Sequence, residues 1–405
     1  MINSGSTKVG YPYCIIKLFI NIAGIFGSQM IPPDNTFLFV VFLIFSLSAA
    51  IQLFYYLYYY LATGLYKLPE LQRSELPVSV IVCARNEAEN LRNFLQAILE
   101  QDYPDYEVIV VNDCSEDDSF NVLGKYLVDY PHLKVSTIYK DPKFTHNKKF
   151  AQFIGIKAAK NDLLLFTDAD CQPLSDKWIS IMTSHFNEKT DFVLGYGGYL
   201  KEKGLLNRYI RFESMFIAMQ YLGTAIRGVP YMGVGRNLAY RRSLFFRNKG
   251  FGSHSHLASG DDDLFVNKIA KKGNTSVEFR REAHTRSVPA SDITEWFKQK
   301  KRHLTTARYY KPGSKFLLLL EPASRVLFYA TFILLVSNLY LWPFVAAGFG
   351  VRLIVQIIVF LLSQEKLNEP GLLLYSLFFD IFSPFINGFV YLSNFMTSPG
   401  KHKWK

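Results

Sequence analysis

Apolar residues crowd the two ends of this chain, and charged residues fill its middle. Positions 37 to 61 form a nearly unbroken apolar run that closes on Tyr55, Tyr56, Tyr58, Tyr59 and Tyr60. A helix of that length crosses a bilayer, and tyrosines gather where a span meets the headgroups. Ahead of it, residues 15 to 30 are more weakly apolar and carry Lys17 and Asn21, which predicts a second helix, an interfacial segment or an irregular start. No small-residue cleavage site stands out, so residues 1–66 read as a retained anchor. Towards the other end, residues 326–341, 343–362 and 372–395 are apolar with short polar breaks, and Arg352 and Asp380 interrupt two of them. Charges at membrane depth are expensive and face a bundle interior, a helix end or an acceptor path. The region 311–405 therefore predicts two to three transmembrane or interfacial helices. Were all three to cross, the basic tail Lys401, Lys403 and Lys405 would emerge on the side away from the central region, against the positive-inside tendency. One segment is accordingly expected to be re-entrant or interfacial.

Between the ends, residues 76–310 alternate β-branched apolar runs with helical patterns. Residues 78–83, 107–111, 133–138 and 163–167 read as strands with continuous apolar faces, and 87–101, 118–130 and 147–159 read as helices. Strands apolar on both faces belong to a sheet covered by helices, so the expected class is α/β with a mostly parallel sheet. Ligands of such sheets bind beyond the carboxyl ends of the strands.

The formal net charge is +11, and the excess sits between Arg236 and Arg308 and in the C-terminal lysines. Beside apolar spans this favours anionic lipid over nucleic acid as the partner. Cys14, Cys83, Cys114 and Cys171 lack the spacing of a zinc site or a disulfide framework, and a reducing cytosol with small buried thiols is the simple inference.

Chemistry-bearing residues cluster where strands end. After the first strand come Arg85, Asn86, Glu87 and Glu89, a ligand-facing turn or a capping-box helix start. The second strand ends in Asp113, followed by Glu116, Asp117 and Asp118, which suit a nucleoside or a helix N-terminus. The fourth ends in Asp168-Ala169-Asp170, where strand alternation puts both carboxylates on one side. Such a pair can hold Mg2+ or Mn2+ against a diphosphate, or be a solvated turn. Asp261, Asp262 and Asp263 are three adjacent carboxylates before an apolar helical pattern; mutual repulsion and burial could raise one pKa to that of a working base, while an acidic N-cap explains only one of them. Residues 296–310 carry Gln299, Lys300, Lys301, Arg302 and His303 on a basic amphipathic stretch that suits either a diphosphate or lipid headgroups.

The ordered set of motifs resembles the family 2 glycosyltransferases of the GT-A fold, especially the membrane-bound cellulose, hyaluronan and poly-N-acetylglucosamine synthases. The resemblance covers the central two thirds of the chain and rests on motif order and spacing rather than on any single motif. It implies that Arg85, Asn86, Glu87 and Asp113 hold the nucleoside, that Lys148 lies near the donor, and that Asp168 and Asp170 are the metal-binding DxD pair, with Asp168 also at the donor. Gly233, Gly235 and Asn237 match an acceptor-side loop, joined on that side by Asp261. Asp262 matches the general base. Gln299, Arg302 and His303 resemble the QxxRW donor motif, with histidine where tryptophan is usual, which departs from the processive synthases.

The implied function is inverting transfer of a sugar from a nucleotide-diphosphate donor, uridine-linked by family expectation, to a lipid or lipid-linked saccharide at the cytoplasmic face of the cell membrane. The implied cofactor is Mg2+ or Mn2+. A processive polysaccharide synthase is the alternative within the same chemistry. A nucleotide-binding transporter or scaffold is the alternative from another class, and it has no need of the acidic triple beside a metal-holding pair.

Overall fold

Strands that are apolar on both faces cannot stay exposed, and here those at 78–84, 106–113 and 163–168 are buried almost from end to end in the centre of an α/β layer structure, with 133–138 partly covered at its edge. The computed structural model describes residues 35–72, 74–141, 147–252, 257 and 259–395. The weakly apolar stretch 15–30, Cys14 and the basic tail lie outside the described residues. In chain order the elements are α1 (36–65), β1 (Val78–Ala84), α2 (Ala88–Leu99), β2 (Tyr106–Asp113), α3 (Ser119–Asp129), β3 (Leu133–Ile138), α4 (Lys148–Ala158), β4 (Leu163–Asp168), β5 (Cys171–Pro173), α5 (Trp178–Thr183), β6 (Phe192–Gly195), β7 (Gly197–Tyr199) and α6 (Leu205–Ile226). There follow β8 (Leu238–Arg241), α7 (Arg242–Arg247), α8 (Asp263–Ile269), β9 (Thr275–Glu278), β10 (Thr285–Ser287), α9 (Ile293–Leu304), α10 (Pro312–Ser337), α11 (Trp342–Lys366) and α12 (Leu373–Phe395).

The main sheet has the order β3-β2-β1-β4-β8-β6-β9, and β5-β10-β7 form a second, smaller sheet. β1 pairs in parallel with β2 and β4, as β2 does with β3 and β6 with β9, while β8 runs antiparallel to both β4 and β6. Register aligns Cys83 with Val111 and with Asp168, so β1, β2 and β4 end at one rim. One face of the sheet packs under α2, α3 and α5. The other face shares one apolar core with α4, α6, the tyrosines of α1 and residues of α11 and α12. The sheet is thereby fastened to the membrane helices through α6. That contact is close: a Cβ on Gly223 of α6 would overlap the carbonyl of Tyr59, so only glycine lets the two helices meet.

Among the described residues four helices are long and apolar enough to cross a membrane: α1, α10, α11 and α12. The tyrosine cluster 55–60 is a π-helical stretch inside α1 and turns Tyr56 and Tyr60 inward rather than to an interfacial belt. α10 begins at Pro312, well before the apolar run at 326. Its first half carries Glu321 and Arg325, which broke the apolar pattern but are satisfied inside the bundle. Asp380 of α12 accepts from Arg325 at 2.8 Å, Arg352 at 2.7 Å, Tyr56 at 3.1 Å and Tyr329 at 3.0 Å. Arg325 also donates to Glu321 at 2.7 Å, and Gln52 of α1 donates to the Glu321 carbonyl at 3.0 Å. Two cations meet two anions, and all four helices share the network.

α12 lies along the α/β domain. Near its start Tyr375 sits beneath the Arg208 guanidinium and Phe379 packs on Tyr209 and Phe212 of α6. Near its end Phe389 meets Phe297 of α9, and Asn394 donates to the Lys301 carbonyl. Leu374, Phe378, Phe382, Phe385, Phe389 and Leu392 form an exposed apolar stripe along its outer side.

Replacing Asp380 alone with Ala leaves two buried guanidiniums without their shared anion, which typically costs about 3–5 kcal/mol. The expected outcome is a clear drop in the thermal midpoint of the purified protein in detergent. An unchanged midpoint would show that the network does not hold the bundle together.

Candidate functional site

At the shared rim of β1, β2 and β4 the backbone turns sharply. Asn86 and Cys114 both adopt left-handed φ values, 54° and 53°. The two turns are laced together: the Asn86 N–H donates to Ser115 Oγ at 2.9 Å, and the Glu116 N–H donates to Asn86 Oδ1 at 2.8 Å. The Glu87 and Ala88 N–H groups donate to Ser119 Oγ and Asp117 Oδ2. The expected capping box of Asn86 with Glu89 is absent, because the neighbouring turn supplies the caps instead. Asn86 thus spends its side-chain oxygen on the other loop. Arg85 and Glu87 are half-buried at the same rim, and Asp113 is fully buried at the end of β2.

Asn147 caps α4, its side chain accepting from the Phe150 N–H at 3.0 Å. Gly155 lets α4 settle onto Ile81 and Val111 of the sheet, where a Cβ would lie 2.7 Å from Ile81 Cγ2. This fixes Lys148, the first residue of α4, over the rim. Its Nζ lies 2.5 Å from Asp168 Oδ1 and 3.8 Å from Asp261 Oδ2, so one ammonium joins the two acidic motifs. Burial works to raise the Asp168 carboxyl, and Lys148, by charge and hydrogen bond, outweighs it and holds the group below its usual range. Burial likewise works against charge on Lys148, and the aspartates around it win, keeping it cationic.

β4 ends at Asp168 and a turn follows, so Asp170 reaches the same side through the turn rather than through strand alternation. Ligand atoms of Asp168, Asp170 and Cys171 all lie within 4.8 Å of one another. Burial, and then Asp170 and Asp168, push the Cys171 thiol far above its ordinary value, which disfavours the thiolate there. What remains is a pair of hard oxygen donors, which fits Mg2+ or Mn2+.

The three aspartates before α8 have separate environments. Asp263 is buried and fully engaged, Oδ2 accepting from Tyr310 at 2.7 Å and from Thr306, and Oδ1 from the Leu264 N–H. Asp261 is buried against Lys148. Asp262 is half-exposed, with Oδ2 accepting from the Gly235 N–H at 2.6 Å and Oδ1 from the Asp263 N–H at 2.7 Å. Burial, reinforced by Asp261 and Asp263 and opposed by Lys148, pushes the Asp262 carboxyl up to about 7.

Gly233 and Gly235 serve close approach rather than a tight turn. A Cβ on Gly235 would stand 3.1 Å from Asp262 Oδ2, and one on Gly233 would meet Leu238 and Leu194 at 3.0 and 3.1 Å. Asn237 is placed differently from expectation: fully buried, it donates to the Tyr196 and Ala283 carbonyls and accepts from Trp178 Nε1. With every polar atom of its amide engaged by protein, it braces the sheets and does not face an acceptor.

α9 is capped by Asp292, which accepts from the Thr294 and Glu295 N–H groups. Lys300 pairs with Glu213 of α6 at 2.6 Å, and Trp296 packs on Tyr209. Gln299, Arg302 and His303 share the adjoining helical face. Arg302 lies close enough to Asp168 to stabilise its charge. His303 is exposed at the helix surface, yet the protein crowded around its ring, followed by Arg302, Lys300, Arg236 and Lys148, drives it well below its usual value. That direction favours the neutral imidazole over the cation.

Arg236 lies inside the loop of Gly235 and Asn237, and the resemblance gives it no role. It stacks on Tyr199, donates to the Gly197 carbonyl at 2.7 Å and to Ser214 Oγ of α6 at 3.2 Å, and acts electrostatically on Asp168. Its place between two glycines and a buried asparagine was the available signal.

Residues 79–246 match the family model described as glycosyl transferase family 2. Glycosyltransferase AglE of Haloferax volcanii is 34% identical over 109 residues, 26% of this chain and 34% of that protein. The probable glycosyltransferase YdaM of Bacillus subtilis is 30% identical over 183 residues, 44% of this chain and 43% of that protein. The matches thus span less than half the length of these curated relatives. Among solved structures, the mannosyltransferase PcManGT from Pyrobaculum calidifontis, in complex with GDP-Man and Mn2+, superposes with a TM-score of 0.55 at 18% identity, covering 85% of this chain and 99% of that one. That likeness is one of fold, and the fold is GT-A. By sequence match and architecture together, this chain carries a family 2 glycosyltransferase domain.

Proposed function

We propose that the chain is an inverting glycosyltransferase that moves a single sugar from a nucleoside-diphosphate sugar to a lipid or lipid-linked acceptor at the membrane. The observation that carries this reading is the juxtaposition at Lys148: an oxygen-donor pair at the end of β4 and an aspartate poised near neutrality before α8 flank one ammonium. A binding module needs the first feature and has no use for the second.

In this reading Arg85, Glu87 and Asp113 take the nucleoside at the rim. Asp168 and Asp170 would hold Mg2+ or Mn2+, which when bound supplies positive charge to the leaving diphosphate. Arg302 adds a guanidinium to that charge, and Gln299 and neutral His303 serve as hydrogen-bonding groups. Asp262, aimed by the Gly235 and Asp263 N–H groups, takes the proton from the acceptor hydroxyl. The hydroxyl oxygen forms its bond to the anomeric carbon opposite the leaving nucleotide, the bond to the diphosphate oxygen breaks, and configuration inverts.

A lipid acceptor is favoured by the position of α6. It carries Ser214, which touches Arg236 one residue from the Gly235 contact to Asp262, and also Phe212 and Phe216, which pack on Phe360 of α11. The route from the membrane helices to Asp262 is one helix wide. The membrane arrangement that fits best has α1, α10 and α11 crossing and α12 lying in the interface against α6 and α9. The basic tail then stays on the side of the α/β domain, and a cytoplasmic domain agrees with the positive-inside tendency.

Four outcomes test this. Purified protein given a panel of nucleoside-diphosphate sugars with Mg2+ or Mn2+ should release nucleoside diphosphate and yield an acceptor heavier by one sugar in mass spectrometry; a ladder of products would instead mark a polymerase. Asp262→Asn should lower turnover by about 100-fold or more while nucleotide affinity stays near that of the wild type, and retained turnover would reject Asp262 as the base. Below about pH 7 the wild-type rate should fall about tenfold per unit, because Asp262 must be ionised to accept a proton, and should level off above it. A flat profile from pH 5.5 to 8 contradicts the assignment. Asp170→Ala should weaken Mn2+-dependent nucleotide binding by about tenfold or more, with affinity indifferent to chelators as the contrary result.

A further inference from the structure

The loop between α11 and α12 leaves the membrane helices and enters the α/β domain. Its Glu369 is fully buried. Oε2 accepts from Arg211 Nε of α6 at 2.8 Å, and Oε1 accepts from Tyr196 at 2.8 Å and from Arg286 of β10. Arg286 also donates to the Leu367 and Asn368 carbonyls at 3.2 and 2.9 Å, and Arg211 to the Pro370 carbonyl at 3.3 Å. Three domain side chains thus grip four consecutive loop residues. Arg211 and Arg286 are 3% and 6% exposed, so the ion pairs are shielded from water and salt.

The strand that makes this grip also holds the cleft. β10 alternates, and Arg286 points to the loop while Thr285 and Ser287 point the other way. Thr285 Oγ1 donates to the Arg236 carbonyl at 2.9 Å. Ser287 is paired with Cys171, and the next N–H, of Val288, donates to the Asp170 carbonyl at 3.1 Å. The neighbouring strand β7 is cut to the same pattern. A Cβ on Gly197 would meet Arg236 Cγ at 2.5 Å, and one on Gly198 would overlap Arg286 Nη1 and come within 2.8 Å of Glu369 Oε1. One glycine makes room for the cleft arginine and the other for the ion pair with the loop.

We propose that Glu369 is a positioning residue: the loop between the membrane helices sets the seat of β10, and β10 sets Asp170 and Arg236. The small sheet is the mechanical link between the membrane region and the metal-holding pair. Its three strands are only three residues long, so its position depends on what its side chains grip. This role rests on the reading of Asp168 and Asp170 as metal ligands given above.

The test uses the full chain in detergent, with Mn2+ binding in the presence of uridine or guanosine diphosphate followed by electron paramagnetic resonance of free Mn2+, and with the thermal midpoint recorded alongside. Glu369→Gln, which removes the charge and keeps the shape, should raise the Mn2+ dissociation constant of the folded protein about tenfold or more. Gly198→Ala should do the same with every charge still present, because it wedges the pair from the other side. Arg211→Lys, the mildest change, should give a smaller rise in the same direction. Folded variants whose Mn2+ dissociation constants stay within about twofold of the wild type, whatever their midpoints, overturn the proposal, since support from an outer-shell contact typically amounts to about 10–100-fold. Wild-type protein that binds no Mn2+ with either nucleotide overturns the metal reading itself, and this role with it.

Discussion

Five carboxylates share one cleft, and the site exists because Lys148 stands among them. Asp168, Asp170, Asp261, Asp262 and Asp263 come from two stretches of chain almost a hundred residues apart, and without a cation their repulsion would drive the stretches apart or protonate several of them. One ammonium touches Asp168, whose carboxyl it holds below its usual range, and lies near Asp261. Burial first, and then the charges of Asp261 and Asp263, raise the carboxyl of Asp262, which Lys148 does not contact. Burial raises Asp263 as well, opposed by the hydrogen bonds it takes from Thr306 and Tyr310. Three neighbouring residues of one type thereby sit in three different environments. The placement of Lys148 is itself a packing result, since α4 descends far enough only because Gly155 offers no Cβ to Ile81.

The membrane side obeys the same logic with the charges balanced. Inside the helices two arginines and two acids cancel, and the network fixes how α1, α10, α11 and α12 meet rather than presenting a charge to anything. Apolar surfaces alone would allow these helices to slide, because lipid is as good a partner as leucine. Directional pairs across four helices remove that freedom. The catalytic cleft benefits indirectly, because α6 is wedged between that bundle and the sheet.

How much of this is legible in the sequence depends on burial. Strands β1, β2 and β4 are covered on both faces and therefore appear as apolar runs, edge strand β3 is only partly covered, and the observed limits of all four lie within two residues of the expected ones. The helices between them are amphipathic and equally plain. The small sheet is invisible, because Cys-Gln-Pro, Gly-Gly-Tyr and Thr-Arg-Ser are too short to have a period. The start of α10 is hidden for a different reason: Glu321 and Arg325 break its hydropathy, and only the tertiary fold brings Gln52 and Asp380 to satisfy them. At the site, motif order singled out Asp168, Asp262 and Arg302, which the fold brings to one rim. It could not tell that Asn86 and Asn237 are braces, since an amide that grips backbone and an amide that grips a sugar look the same in one dimension.

The exchange of tryptophan for histidine at position 303 is where charge accounting goes further than the motif. The protein packed around the imidazole, and after it four cations, Arg302, Lys300, Arg236 and Lys148, favour its neutral form. A protonated histidine would have been a fifth positive group among them. Neutrality leaves it one donor and one acceptor nitrogen, in a position that also carries no broad aromatic face. A sugar chain sliding through a channel is held well by a flat apolar ring, which tolerates many registers; a hydrogen-bonding ring prefers one. The arrangement on α9 therefore suits an acceptor that is bound once, in one register, and released. The lipid-side approach along α6 points to the same kind of acceptor from an independent direction.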